Sequence, residues 1–153
     1  MLCSFSLLEK IIQEAKSINK KIVFTNGCFD IIHSGHCQYL SEAKKLGDIL
    51  VVGLNSDSSV KKLKGEERPI NSFFDRAAVL SSLKSVDYVC IFEEETPIRL
   101  ITALRPDVLV KGGDYTIDNI VGASEVISTG GKVVVLPFLE GRSTTKIINK
   151  FKS

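Results

Sequence analysis

The chain has 153 residues, 44% of them apolar and 25% charged, a length and balance that suit one globular domain with a core of its own. A formal charge of +2, from 20 basic and 18 acidic residues, is too even to make nucleic acid or a membrane surface the main partner. No apolar run approaches the ~20 residues that cross a bilayer, the first residues lack a signal-peptide pattern, and the 4 cysteines show neither zinc spacing nor a disulfide framework, so free thiols in a reducing cytoplasm are expected.

Taken in order, Leu7, Leu8, Ile11, Ile12, Ala15 and Ile18 fall at helical spacing and predict an amphipathic helix over 6–18, packed on the domain or on a partner subunit. Residues 1–20 thus form an N-terminal helix, and 21–153 the body of the single domain. A first strand is expected at 21–26. A helix from Gln38 to Leu46 follows, with Tyr39, Leu40 and Ala43 on one face and Gly47 at its end. Ile49–Leu54 is apolar throughout, as in a strand covered on both faces. Asn55-Ser56-Asp57 caps a short helix beginning near Ser58, and 61–70 reads as a mobile charged loop. Asn71 or Ser72 caps a helix from Phe73 to Leu83, and a strand spans Val86–Phe92. Thr96-Pro97 opens a helix to Leu104, with Pro at its first position. Val108–Val110 is a short strand, 120–129 a helix stopped by Gly130-Gly131, and Val133–Leu136 the last strand. Ser143-Thr144-Thr145 caps a final helix to Phe151.

This alternation predicts an α/β fold: a Rossmann-like, doubly wound parallel sheet of five strands with helices on both faces. Ligands then bind beyond the carboxyl ends of the strands. Gly27–His36, Asn55–Asp57, Lys111–Asp114 and Gly141–Thr145 all follow strands and so converge on that rim.

The densest chemistry lies just after the first strand. Thr25-Asn26-Gly27 is turn chemistry, and the only two histidines, His33 and His36, stand three residues apart at the head of the next helix, on one face of it. Gly35 between them removes a side chain where a phosphate would approach the helix backbone. Imidazoles donate hydrogen bonds to phosphate oxygens. No third histidine or suitably placed cysteine completes a metal set, and no metal ligands are expected. Neither a Walker-type loop nor a Gly-x-Gly-x-x-Gly turn is present.

His33-Ser34-Gly35-His36 resembles the His-x-Gly-His signature of the cytidylyltransferase-like nucleotidyltransferases. Leu46-Gly47-Asp48, Val52–Asp57, Arg68-Pro69-Ile70, Lys111–Tyr115 and Ser143–Thr145 extend the resemblance over about 20–150, toward the adenylyltransferase half of the bacterial ADP-heptose synthesis enzymes. The resemblance implies transfer of AMP from ATP to D-glycero-D-manno-heptose 1-phosphate, with Mg²⁺ on the triphosphate, for lipopolysaccharide or other surface-glycan precursors. A sugar kinase would then be a separate protein. It implies small-molecule substrates; the apolar N-terminal helix points to a homo-oligomer, and the charge balance and short apolar runs to no nucleic acid and no membrane. His33, His36 and Lys64 would be catalytic. Thr25, Asn26, Gly27, Cys28, Phe29, Gly35, Gly112, Gly113, Asp114, Arg142, Ser143 and Thr144 would border the nucleotide. Asp30, Asp57, Arg68 and Arg76 would meet the substrate. Lys64 also reads as a solvated loop charge, and Arg68 and Arg76 equally as partners in structural ion pairs. The alternative is a CTP-dependent cytidylyltransferase acting on glycerol 3-phosphate or a similar polyol phosphate. Those enzymes carry an Arg-Thr pair that reads cytosine, where this chain has Phe138-Leu139, which favours ATP.

Overall fold

A computed structural model describes residues 1–137 and 143–152. Six parallel strands form one sheet: β1 (Leu2–Cys3), β2 (Ile22–Gly27), β3 (Ile49–Asn55), β4 (Tyr88–Phe92), β5 (Val108–Gly112) and β6 (Lys132–Leu136), in the order β1-β4-β3-β2-β5-β6. The helices are α1 (Phe5–Ser17), α2 (Ser34–Lys44), α3 (Asp57–Lys64), α4 (Phe73–Ser81), α5 (Ile98–Leu104), α6 (Ala123–Ser128) and α7 (Thr144–Lys152), with a 3₁₀ turn at Ile117–Asn119. The order reverses between β2 and β5, where successive crossovers leave in opposite directions and a crevice opens at the carboxyl ends.

Strand alternation sorts the core into two layers. Ile22, Phe24, Val51 and Leu109 face α1, α5 and α6, where Leu8, Ile12, Ile101, Leu104 and Val126 meet them. Val23, Leu50, Val52 and Val110 face α2 and α4, against Leu40, Ala43, Ala77 and Leu80. Leu8, Ile12 and Ala15 of α1 therefore pack on the domain's own sheet, while Leu7 and Ile18, expected in the same stripe, are exposed. Residues 1–20 are built into the domain rather than appended to it, since β1 also pairs with β4.

The opposite, amino edge of the sheet is pinned by one device used three times. Asp48, Asp87 and Asp107 each stand immediately before a strand and accept a backbone N–H from its neighbour: Lys21 at 2.8 Å, Leu50 at 2.7 Å and Ile22 at 2.7 Å. Such carboxylate bonds fix strand register and satisfy donors that the ladder leaves over.

Four expectations are corrected. The sheet has six strands rather than five, because β1 is only two residues long and carries no readable alternation. Lys61–Lys64 belong to α3, whose N-cap Ser56 accepts from Ser59 N at 3.1 Å and whose last-turn lysines suit the helix C-terminus. Pro97 is the cap of α5 and not its first residue. The expected helix over 120–129 starts only at Ala123, since Gly122 sits at φ +86° and breaks it.

Gly122 carries a testable consequence. A Cβ there would lie 2.4 Å from Ile101 Cδ1, in a backbone region that L-residues avoid. Gly122→Ala is expected to lower stability by more than ~1 kcal/mol, read as a lower urea midpoint at unchanged slope.

Candidate active site

Gly27 ends β2, and the chain then turns through Phe29 in the left-handed region at φ 45°. A non-glycine residue held there signals local strain supported by its surroundings. Phe29 is buried, and a Cβ on Gly27 would meet its ring at 3.0 Å, so the glycine makes room for the aromatic. The same ring packs edge-on against His36 with centroids 5.2 Å apart. His33 and His36 stack at 3.9 Å and 22°. Sequence spacing placed both on one face, and the Phe29 ring holds them there.

His33 is the N-cap of α2 but makes no side-chain cap bond, so the first-turn amides at Ser34, Gly35 and His36 are left for a ligand at the helix N-terminus. A cavity of about 590 Å³ opens in front of them. That volume suits a nucleotide, whereas two other hollows, of about 40 and 150 Å³, do not. Asn26, Gly27, Cys28, Phe29, Asp30, His33, Gly35, His36, Lys64, Arg68, Gly112, Ser143 and Thr144 all border the cavity, so distant segments meet as the motifs predict.

Burial, then the neighbouring His33, pushes the His36 imidazole down to about 4, while the Ile31 carbonyl acts weakly the other way. His36 is therefore neutral at pH 7 in the free protein. Burial raises the Cys28 thiol, against the pull of Lys64, Arg76 and Arg68, which makes it a poor nucleophile.

Asp30 and Arg68 are joined. Asp30 is 3% exposed and accepts from Arg68 Nε at 2.5 Å, Ile70 N at 2.9 Å and Asn71 N at 2.9 Å. Burial alone would raise this carboxyl, but the Asn71 and Ile70 amides and the Arg68 guanidinium outweigh it and hold it below the usual range. Asp30 thus fastens the 68–71 segment over the strand ends, and Arg68 keeps one edge toward the cavity. Asn71 is occupied with Asp30, which leaves Ser72 as the cap of α4.

Several predicted residues stand back from the cavity. Thr25 is fully buried beneath its floor, hydrogen-bonded to Tyr39 Oη at 2.7 Å. Arg76, expected at the substrate, is 1% exposed, and its guanidinium is occupied by protein: Asn71 O at 3.1 Å, Cys28 O at 2.5 Å, Asn55 O at 2.8 Å and Asp57 Oδ1 at 2.7 Å. Asp57 is its counter-ion, so both occupy the structural ion pair that the sequence left open. Gly113 donates its N–H to Leu136 O at 3.0 Å, and Asp114 is exposed beyond it. Thr144 lines the cavity while donating to Ile31 O at 3.2 Å, which ties α7 to the histidine turn. Arg142 lies outside the described residues, as do Phe138 and Leu139.

Sequence reasoning passed over Tyr39, Asn55, Glu95, Lys111 and Tyr115, all of which line the cavity. Lys111 stands inside a quoted motif, yet its meaning depends on the neighbouring strand: its Nζ donates to Asn26 Oδ1 at 2.7 Å across the β2–β5 crevice. Burial lowers Lys111 from its usual value, opposed by the Cys28 thiol. Among the described residues, no group of three or more His, Cys, Asp or Glu is placed to hold a metal, and no helix is long and apolar enough to cross a membrane.

Two outcomes test this geometry. Arg76→Met is expected to cost roughly 3–5 kcal/mol in chemical denaturation, since it strips a buried ion of its role and leaves three carbonyls short of a donor; a variant of normal stability would return Arg76 to the substrate. By NMR, His36 is expected to titrate near 4, and tripolyphosphate should raise that midpoint. The unfolded imidazole takes its proton near 6.5, so stability present above that pH is lost as pH falls toward 4.

Comparison with known proteins agrees with this geometry. The chain is 57% identical over 143 residues to the bifunctional protein HldE of Geobacter metallireducens, covering 94% of this chain and 29% of that protein. It is likewise 57% identical over 144 residues to HldE of Campylobacter jejuni subsp. doylei, covering 94% and 30%. The chain therefore spans under a third of the length of these relatives. A lipopolysaccharide core biosynthesis protein of Thermoplasma volcanium superposes with TM-score 0.64 at 31% identity, over 81% of this chain and all of that one. Pantoate-beta-alanine ligase of Francisella tularensis, solved with β-γ ATP and β-alanine, shares the fold at 15% identity and TM-score 0.65, over 99% of this chain and 77% of that one. The model of the cytidylyltransferase-like family matches residues 24–150, the stretch that contains the stacked histidines and all of β3 to β6, and the chain belongs to that family.

Proposed function

We propose that this chain transfers AMP from ATP to D-glycero-D-manno-heptose 1-phosphate, releasing pyrophosphate and giving ADP-heptose for lipopolysaccharide or other surface-glycan precursors. The observation that carries the reading is the stacked His33–His36 pair at the open N-terminus of α2, facing a nucleotide-sized cavity. The heptose acceptor is supported by motifs shared with the adenylyltransferase half of ADP-heptose synthesis enzymes, and by relatives named HldE.

The reaction is an in-line displacement at the α-phosphorus. The attacking phosphate oxygen is already anionic, so no general base is required, and the protein contributes orientation and charge stabilisation. His33 and His36 hold the α- and β-phosphates against the first-turn amides of α2. Lys64, exposed at the end of α3 and bordering the cavity, reaches the departing pyrophosphate. Arg68, positioned by Asp30, grips either pyrophosphate or acceptor. Gly112, Ser143 and Thr144 border the nucleoside. Mg²⁺, held mostly by ATP phosphate oxygens and water, would neutralise charge on the leaving group. Among the described residues, no group of three or more His, Cys, Asp or Glu forms a cage for it.

The enzyme works in the cytoplasm on small molecules, as a homo-oligomer. The oligomer rests on exposed apolar surface, such as Ile70 and Phe74, to which Leu7 and Ile18 of the α1 region also belong.

The test is pyrophosphate release with each nucleoside triphosphate crossed against heptose 1-phosphate and glycerol 3-phosphate. Turnover is expected with ATP and the heptose; activity confined to CTP and glycerol 3-phosphate would overturn the reading. His33→Ala and His36→Ala are each expected to lower kcat by about 10²–10³-fold with little change in Tm.

A further inference from the structure

The cavity has two sides, set by strand alternation. Val110 packs with Tyr39 and Leu40 on the face covered by α2, so the next residue, Lys111, projects to the other face, as Leu109 does. The histidines stand on the α2 side and Lys111 opposite, with the β2–β5 crevice between them. Lys111 is partly buried and its ammonium donates to a neutral amide oxygen on Asn26. No carboxylate among the described residues pairs with it. A cation drawn out of water without a counter-ion is costly, and here it borders an open cavity that admits one.

We propose that Lys111 holds the phosphate of the acceptor, a sugar 1-phosphate, and aims its oxygen at the α-phosphorus from the face opposite the histidines. This rests on the nucleotidyl-transfer reading above. The acceptor oxygen forms a bond to the α-phosphorus, and the bond from that phosphorus to the α–β bridging oxygen breaks. Pyrophosphate leaves with the bonding pair. The acceptor oxygen carries no proton, so none has to be moved. In-line geometry requires nucleophile and leaving group on opposite sides of phosphorus. A cation facing the helix terminus across the crevice meets that requirement, whereas one beside the histidines would not. Asn26 fixes the ammonium by accepting one of its three N–H bonds and leaves the others for phosphate oxygens.

The test uses the full chain with Lys111→Met and Lys111→Gln. Steady-state pyrophosphate release is measured with heptose 1-phosphate varied at saturating ATP, then the reverse. The acceptor KM is expected to rise roughly 10- to 100-fold, the range for losing a charge-assisted hydrogen bond, with the ATP KM within about 3-fold of wild type. Equal shifts in both KM values would place Lys111 on the nucleotide, and no shift in either would place it on neither; both overturn the proposal. Calorimetric titration of heptose 1-phosphate into protein saturated with a non-hydrolysable ATP analogue reads the same residue without turnover. Binding by wild type that is lost in both variants supports the proposal. Equal binding by all three proteins, or none by wild type, overturns it. Failure of the transfer reading itself would appear separately, as wild-type protein that releases no pyrophosphate from any pairing.

Discussion

One buried guanidinium organises the carboxyl rim. Arg76 reaches out of α4 and donates to carbonyls from the turn after β2, the end of β3 and the loop before α4, and to the carboxylate at the start of α3. The β2–β3 ladder ends at Gly27 and Leu54, and beyond it this guanidinium joins segments that Asp30 also ties to the 68–71 loop. Arginine suits the task because its donors are fixed in a plane and its charge survives burial. Lysine would offer one point of attachment to four acceptors that lie in different directions. Asp30 does the complementary work from below, where one carboxylate gathers two amides and Arg68. Together the two ions convert loose strand ends into a rigid floor, which a reaction that depends on alignment needs.

That floor explains why the opposite edge of the sheet is built so differently. Asp48, Asp87 and Asp107 close the amino edge by accepting the spare N–H of an adjacent strand. Carboxylates at the carboxyl edge would repel a polyphosphate, and there Asp30 is paired with Arg68 and Asp57 with Arg76, while Glu95 also borders the cavity. The charge pattern of the molecule thus follows sheet polarity. Its near-zero net charge conceals an edge arranged for anions, which is why composition identified no partner.

The parts of this design that were legible in sequence are those encoded locally. Apolar runs, Gly-containing turns and serine caps placed the strands and helices within a few residues, and the two histidines announced the site. What was not legible depended on pairs distant in the chain. Arg76 and Asp57 are 19 residues apart, Arg68 and Asp30 are 38 apart, and Lys111 and Asn26 are 85 apart. Nothing in a single sequence says that β2 and β5 are neighbours until the strand order is known, so Lys111 was placed on the rim without a role of its own. The two-residue β1 failed for another reason: at that length alternation has no period to detect, and its pairing with β4 depends on where α1 docks. Gly122 was readable as a glycine but not as a helix breaker, because its left-handed φ is set by the close approach of Ile101.

The free site is poised rather than satisfied. His36 is neutral because burial and a stacked neighbour oppose its charge, and Lys111 bears a charge that its surroundings oppose. The empty protein disfavours a proton on His36 and the charge on Lys111, and the arrival of phosphate would relieve both. An anion beside His36 would offset the cost of its proton, so part of the binding energy would appear as proton uptake, strongest where the solution is more acidic. At Lys111 no proton need move, and relief comes from a counter-ion alone. The two sides of the crevice should therefore differ in their response to pH. Nucleotide binding should be linked to protons through His36, and acceptor binding should be nearly indifferent to pH so long as the lysine and the acceptor phosphate keep their charges. Preorganised groups of this kind contribute more to a transition state than groups that must turn to meet it, because their reorientation was completed during folding.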